Sequence, residues 1–281
     1  MTNLKPLIPF PALLLEQDSK KTVIVTDLHI GWEVHLVEKG IHIPSQTSKL
    51  KNRLLEIIED VNPDRVIILG DVKQAVPKLS YLEWKEVPEF FESILKVVDD
   101  VTVSLGNHDG DLEPLTPRSI KINPSSGFVL GKVGLFHGHA WPSPEVITSD
   151  WLIMGHIHPI VWFRDKIGLW TAKKVWMNVK CNGEKLLKNY LKYLNVKEGK
   201  DSKKRFKEKY VMSIKNPNLI VLPAFNDFVG GLSLNRRNQG SRGPFFSNSG
   251  IDIKNSEIYL LDGTFIGTIE RLQNQNMSNR E

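Results

Sequence analysis

Between residues 155 and 159 the chain reads Gly-His-Ile-His-Pro, two imidazoles one residue apart behind the apolar run Trp-Leu-Ile-Met. In extended backbone, residues i and i+2 share a face. His156 and His158 are therefore expected to project together, an arrangement that suits a metal ion. Four other clusters carry donors of the same kind: Asp27 and His29 in TVIVTDLH, Asp71 in DRVIILGD, Asn107, His108 and Asp109 in VTVSLGNHD, and His137 and His139 in KVGLFHGH. Six of the eight histidines fall in these clusters, a concentration that packing does not require. Imidazole nitrogen combined with carboxylate or amide oxygen, and no thiolate, suits Mn²⁺, Fe, Ni²⁺ or Zn²⁺.

Each cluster follows directly on a short, mostly β-branched run, so five strands are expected to deliver these side chains at their C-terminal ends. That edge is where α/β sheets bind ligands. Two connections read as helices. SQTSKLKNRLLEIIEDVNP offers Ser45 as a cap, and SYLEWKEVPEFFESILKVVDD is expected to open its second half at Pro88. SIKINPSSGFVLGKVGLF, VWFRDKIGLWTAKKVWMNV and SEIYLLDGTFIGTIERL read as hairpins. Helices first and hairpins later predict two facing mixed sheets with helices outside, an α/β sandwich. The expected domain spans residues 1–272, with a lysine-rich inserted segment at about 183–215 and a disordered tail over 273–281.

The 281 residues are 41% hydrophobic and 25% charged, the composition of a soluble globular protein. No run approaches the roughly 18 to 20 apolar residues of a membrane span, so no membrane partner is expected. The N-terminal LIPFPALLLE is broken by prolines and reads as the first strand rather than as a signal peptide. A single cysteine, Cys181, excludes a disulfide framework and a thiolate-rich zinc site, and points to a cytoplasmic protein. Between Lys173 and Lys215 fourteen Lys/Arg face four acids, so this one segment holds more than the whole net charge of +5. Its first half, with Leu186, Leu187, Tyr190, Leu191 and Leu194, reads as an amphipathic helix. The second half, KDSKKRFKEKY, reads either as a solvated surface or as a nucleic-acid or partner-docking arm, with Phe206 and Tyr210 available for stacking.

The ordered set Asp-x-His, Gly-Asp, Gly-Asn-His-Asp, His, Gly-His-x-His resembles the calcineurin-like metallophosphoesterases. The resemblance implies a four-layer αββα sandwich of two mixed β-sheets and a centre of two divalent metal ions, with Mn²⁺ favoured. Asp27, His29 and His158 would hold one metal, Asn107, His137 and His156 the other, and Asp71 would bridge them. Two such cations roughly 3.5 to 4 Å apart lower the pKa of a bridging water and neutralise phosphoryl oxygens during in-line displacement. The resemblance gives His108 a role at the leaving oxygen. A cationic imidazole held by Asp109 would do that work. His139 would touch substrate or support His137, and His35 and His42 read as ordinary. DLHIGWEVHLVEKGIHIP, GDVKQ, GHIHP and LPAFNDFVGG together look like the SbcD-related branch, which includes ligase-associated DNA-damage-response endonucleases. Gln74 stands where that branch leads one to expect histidine. Substrate contacts are assigned to His139, to Asn226 and to Lys203, Lys204 and Arg205.

The expected activity is hydrolysis of phosphodiester bonds in nucleic acid, in DNA repair or processing. Two other readings remain open: an esterase for a small nucleotide, and a non-catalytic docking subunit for a helicase or ligase. The protein-phosphatase pattern Gly-Asp-x-x-Asp-Arg-Gly is absent, because Val72, Lys73, Gln74 and Ala75 follow Asp71.

Overall fold

The structure is a computed structural model that describes residues 2–37, 39–196, 204, 206, 210, 213–236 and 243–278. Strand periodicity decides its layers. In β3 (Lys20–Val25) and β4 (Arg65–Leu69), Val23, Val25, Val66 and Ile68 point one way and Ile24, Ile67 and Leu69 the other. The first set packs with Leu50, Leu54, Ile57 and Ile58 of α2 (Thr47–Val61) and with Phe90, Phe91 and Ile94 of α3 (Tyr81–Leu95). The second set meets Leu135, Ile153 and Ile220 in a core between two sheets. Beyond the second sheet, Leu152, Met154, Leu219 and Val221 pack with apolar residues of α4 (Pro144–Ile147), α5 (Gly183–Tyr193), α6 (Gly243–Phe246) and α7 (Ile269–Ser278). Helix, sheet, sheet and helix make the four-layer αββα sandwich.

The first sheet runs in sequence order through β1 (Asn3–Pro6), β2 (Leu13–Gln17), β3, β4, β5 (Asp100–Ser104) and β6 (Lys121–Asn123), antiparallel up to β3 and parallel from there on. The second contains β7 (Phe128–Leu130), β8 (Val133–Leu135), β9 (Trp151–Met154), β11 (Trp170–Lys180), β12 (Asn218–Val221), β13 (Glu257–Leu260) and β14 (Phe265–Thr268), ordered 14-13-11-12-9-8-7. In it β9 is parallel to β8 and β12, and β10 (Ile160–Arg164) pairs with β11 alone. Both sheets are mixed. The five donor clusters stand just beyond the ends of β3, β4, β5, β8 and β9, so the chain ends its strands where the chemistry begins.

Several local expectations change. LIPFP links β1 to β2 rather than forming a strand, because Pro9 and Pro11 supply no ladder donor. SIKINPSSGFVLGKVGLF is divided between the sheets: β6 extends the first, and only β7–β8 is a hairpin. Helix α2 is entered at Gln46, one residue after Ser45. Helix α3 is continuous through Pro88, since a Ser80–Glu83 capping box starts it at Tyr81. Helix α7 runs to Ser278, past Gln273, where order was expected to end; Leu272 is buried and Gln273 donates to the Leu234 carbonyl at 2.8 Å.

The lysine-rich segment changes most. Leu186, Leu187, Tyr190 and Leu191 of α5, together with Phe206, are core residues. Phe206 is 1% exposed and packs on Tyr190 and Tyr210, so it offers no face to a nucleobase. The Tyr190 hydroxyl donates to the Pro142 carbonyl at 3.0 Å, which ties α5 to the loop that follows His139. Lys204 is exposed, while Lys203 and Arg205 lie outside the described residues. Because α5 is built into the sandwich, Leu191→Ala is expected to destabilise the protein by about 2–5 kcal/mol. Urea unfolding measures this, and an unchanged midpoint would make α5 an appendage.

Candidate metal centre

Asp27 follows Thr26 at the end of β3 and is completely buried. Its Oδ2 lies 2.8 Å from the Thr26 hydroxyl and accepts the His156 backbone N–H at 3.1 Å, which leaves Oδ1 facing inward. Asp71 is placed the same way. Its Oδ1 accepts the His108 backbone N–H at 2.9 Å, while Oδ2 lies 3.6 Å from His29 Nε2 and 3.3 Å from His137 Nε2. One carboxylate oxygen therefore stands between two groups of imidazoles. Ligand-competent atoms of Asp27, His29, Asp71 and His158 gather within 4.8 Å of one another, as do those of Asp71, His137 and His156. His35 and His42 join neither group. Asn107, in the turn after β5, is exposed, and among the described residues no hydrogen bond occupies its side-chain amide.

The imidazoles are oriented from behind by backbone carbonyls. His137 Nδ1 is 2.7 Å from the Leu69 carbonyl, and His158 Nδ1 is 2.8 Å from that of Gly230. Such contacts fix the tautomer that presents Nε2 to a metal. His156 and His158 both reach the centre, but not from extended backbone. Both have positive φ, 68° and 43°, which sends one ring to each group. Asp27, His29 and Asp71 also lie in the left-handed region. Close crossings leave room only for glycine: a Cβ on Gly106 would meet Asp71 Oδ1 at 2.2 Å, and one on Gly155 would meet Thr26 Oγ1 at 2.0 Å.

Burial opposes charge on Asp27, but the His158 and His137 imidazoles outweigh it and hold the carboxyl at about 2. Asp71 is held further below the usual carboxylate range; burial again opposes, and His137 and His29 prevail. Burial pushes His29 and His156 each down to about 4, keeping their lone pairs available. His137 is raised to about 10, since Asp71 overrides the effect of burial. Asp27 Oδ1 and His137 Nε2 are buried against other donors of the site: Asp27 Oδ1 lies 3.0 Å from His158 Nε2, and His137 Nε2 lies 3.3 Å from Asp71 Oδ2. Carboxylate oxygens and imidazole nitrogens gathered this closely form the donor set a divalent cation needs.

Two assigned roles change with the contacts. Asp109 does not hold the His108 ring. It is buried, accepts N–H groups of Val72 and Gly106 at 2.9 Å each, and so ties the loop after β4 to the loop after β5. His108 Nδ1 instead meets the Gln74 carbonyl at 2.5 Å. Asn226 is buried and has no free edge for substrate. Its Nδ2 donates to the Leu28 carbonyl at 2.9 Å, between Asp27 and His29, and its Oδ1 accepts the Phe228 N–H at 2.9 Å. His139 is half-buried 5.3 Å from the His137 ring, outside both donor groups, and burial lowers it to about 4.

Sequence reasoning missed the braces behind the ligands. Thr26 was visible as the residue before Asp27. Arg53 and Lys174 were not, because they reach Asp227 from α2 and β11. Glu83, which caps α3, also accepts the Gln74 and Ala75 N–H groups and so holds the loop whose carbonyl meets His108.

A two-sheet sandwich with an Asp/His cluster at its strand ends defines a class, the hydrolases built around divalent metal. The chain belongs to the calcineurin-like phosphoesterase family, whose model matches residues 20–198, and is thus a hydrolase of phosphoester bonds. Among solved structures it is similar to the Pseudomonas putida nuclease MPE, with 18% identity over 92% of this chain and 98% of that one and a TM-score of 0.49. It is also similar to YfcE, a phosphoesterase from E. coli, with 20% identity over 51% of this chain and 73% of that one and a TM-score of 0.33. No curated protein matches the chain. Among the described residues no helix is long and apolar enough to cross a membrane.

Because Asn226 braces the segment between two ligands, Asn226→Ala is expected to lower metal affinity about 10- to 100-fold. The KM for a small diester at saturating metal should stay near wild type. Metal titration followed by calorimetry reads the first and steady-state kinetics the second; a raised KM with normal metal affinity would return Asn226 to the substrate.

Proposed function

We propose that the protein is a metal-dependent phosphodiesterase acting on nucleic acid, in the repair or processing of DNA in the cytoplasm. The observation that carries the catalytic part is the Asp71 carboxylate between two imidazole groups. Asp27, His29 and His158 would hold one cation and Asn107, His137 and His156 the other, with Asp71 between them; Mn²⁺ is favoured by the family resemblance. Bound divalent cations supply charge that neutralises phosphoryl oxygens and brings the pKa of an attacking water towards neutrality.

The chain contributes orientation and a proton. His108 stands 5.0 Å from the His29 ring, and its Nδ1 is occupied by the Gln74 carbonyl. Nε2 is then the nitrogen available to a phosphate or leaving oxygen, where it donates a proton or neutralises charge. Asp109 acts through the backbone as a positioning residue. Cys181, buried and pushed by burial up to about 12, is no competing nucleophile. Nucleic acid as substrate is supported by DLHIGWEVHLVEKGIHIP and LPAFNDFVGG, which look like the SbcD-related branch. The same motif supplies the Gly230 carbonyl behind His158.

Two outcomes test this reading. Diester hydrolysis should vanish on chelation and return with Mn²⁺, and Asp71→Ala should reduce binding in both donor groups, giving below one metal per chain by elemental analysis. Full turnover of the stripped enzyme would defeat the proposal. His108→Ala should keep its metal yet lose roughly 10²- to 10⁴-fold in kcat on esters with alkyl leaving groups, and far less on nitrophenyl esters, whose phenolate departs unaided. Equal losses on both would remove His108 from the leaving oxygen.

A further inference from the structure

The β10–β11 hairpin begins two residues after His158 and carries chemistry that the metal centre does not use. Its register pairs Ile160 with Lys174 at the base and Arg164 with Trp170 near the tip. Alternation therefore puts Trp162, Arg164, Trp170 and Lys174 on one face. At the base of that face, Lys174 donates to the Asn226 carbonyl at 2.7 Å, beside the brace of the metal loop. Further out, the Arg236 guanidinium lies 4.3 Å from the Trp162 ring and 4.2 Å from the Trp170 ring, and Arg164 lies 5.9 Å from Trp170. Trp170 is 41% exposed. Among the described residues Arg236 has no carboxylate partner.

Cations prevail in the hairpin, although Lys174 at its base is paired with Asp227 at 3.0 Å. Residues 160–174 contain four cations, Arg164, Lys166, Lys173 and Lys174, and one acid, Asp165. Asp165 is held in the turn, where its Oδ1 accepts the Ile167 and Leu169 N–H groups at 3.0 and 2.8 Å. Aromatic faces flanked by cations, with the acid of the hairpin turn bound to its own backbone, match a ligand that alternates flat bases with phosphates. Trp162 is four residues beyond His158, at most roughly 13 Å along an extended chain. The base of the face is thus close to the metal centre.

We propose that this face of the hairpin is a stacking platform for a single-stranded polynucleotide, with Trp170 against a base and Arg164, Lys166 and Arg236 against phosphates. The inference rests on the nucleic-acid reading above and assigns it a site. The hairpin acts on affinity and register, and the metal centre acts on the bond.

The test uses the full chain with Mn²⁺, short labelled oligothymidylate and oligouridylate, and a nitrophenyl diester reporter. Trp170→Ala should weaken oligonucleotide binding about 5- to 150-fold, the effect of losing one base–aromatic stack, and Trp170→Phe should restore most of it. Arg236→Glu should flatten the salt dependence by about 0.7 for each phosphate that the guanidinium neutralises. Reporter turnover should be unchanged in all three, and the oligonucleotide bound more tightly identifies the strand as DNA or RNA. If reporter turnover falls in Trp170→Ala, Arg236→Glu decides. If the wild type cleaves oligonucleotide and both variants bind it normally, the platform is overturned alone and a protein partner becomes the occupant of the face. If the wild type turns over the reporter but neither binds nor cleaves oligonucleotide, the nucleic-acid reading falls and the platform with it.

Discussion

Two carboxylates lie where bulk water does not reach: Asp27 is fully buried and Asp71 is 2% exposed. Removing such an anion from water costs several kcal/mol even after the surroundings relax, and the rest of the site is arranged to offset that cost. One oxygen of each acid is satisfied by the chain itself, through Thr26 and the His156 N–H for Asp27 and through the His108 N–H for Asp71. The other oxygen of each is turned towards imidazoles. A third buried acid, Asp109, is raised to about 6, by burial first and by Asp71 next, and it accepts backbone N–H groups from both neighbouring loops. Ionised oxygens aimed at one point, with lone-pair nitrogens opposite, leave a divalent cation as the natural counter-charge.

Backbone strain follows from the same demand. Asp27, His29, Asp71, His156 and His158 all sit at positive φ, and each such residue costs on the order of 1–3 kcal/mol. A strand leaving a sheet in extended conformation would send alternate side chains to opposite faces. The left-handed residues turn the chain at the sheet edge instead: Asp27 and His29 reach one group together, while His156 and His158 are divided between the two. These conformations persist because long-range contacts over-determine them. Gly230 holds His158, Leu69 holds His137, and Asn226 holds the turn between Asp27 and His29.

The division between what sequence revealed and what it concealed follows from these contacts. Strand ends were legible because short apolar runs such as Val23–Ile24–Val25 and Leu152–Ile153–Met154 are followed at once by the donors, and a strand buried on both faces is apolar throughout. The layers were legible from the order of helical connections first and hairpins later, together with the family resemblance. Backbone dihedrals at His156 and His158 were not, since only crowding at the sheet edge imposes them. The misplaced role of Asp109 came from adjacency: it follows His108 in the chain but points inward, away from the ring. Asn226 looked like a contact residue because it lies in a distinctive motif; its contacts with the Leu28 carbonyl and the Phe228 N–H are long-range or conformational and could not be read from that motif. The apolar face of α5 was legible from Leu186, Leu187, Tyr190 and Leu191 at helical spacing; that this face enters the core of the sandwich was not, because only tertiary packing decides it.

The centre is divided between the two sheets, and this ties its geometry to the core that joins them. Asp27, His29, Asp71 and His108 come from loops of the first sheet, and His137, His156 and His158 from loops of the second. Each donor group draws on both sheets, so a shift of one sheet against the other would change both groups at once. What resists that shift is the apolar layer of Leu13, Ile24, Ile67, Leu69, Leu135, Ile153 and Ile220 between them. Side chains packed at crystalline density do not slide by fractions of an ångström without leaving voids or overlaps. Leu69 joins the two requirements in one residue. Its side chain belongs to the inter-sheet core, and its carbonyl orients His137. Packing between the sheets is thereby part of what sets the distance across Asp71, and Leu69, which is itself no ligand, shares in fixing where the two donor groups stand.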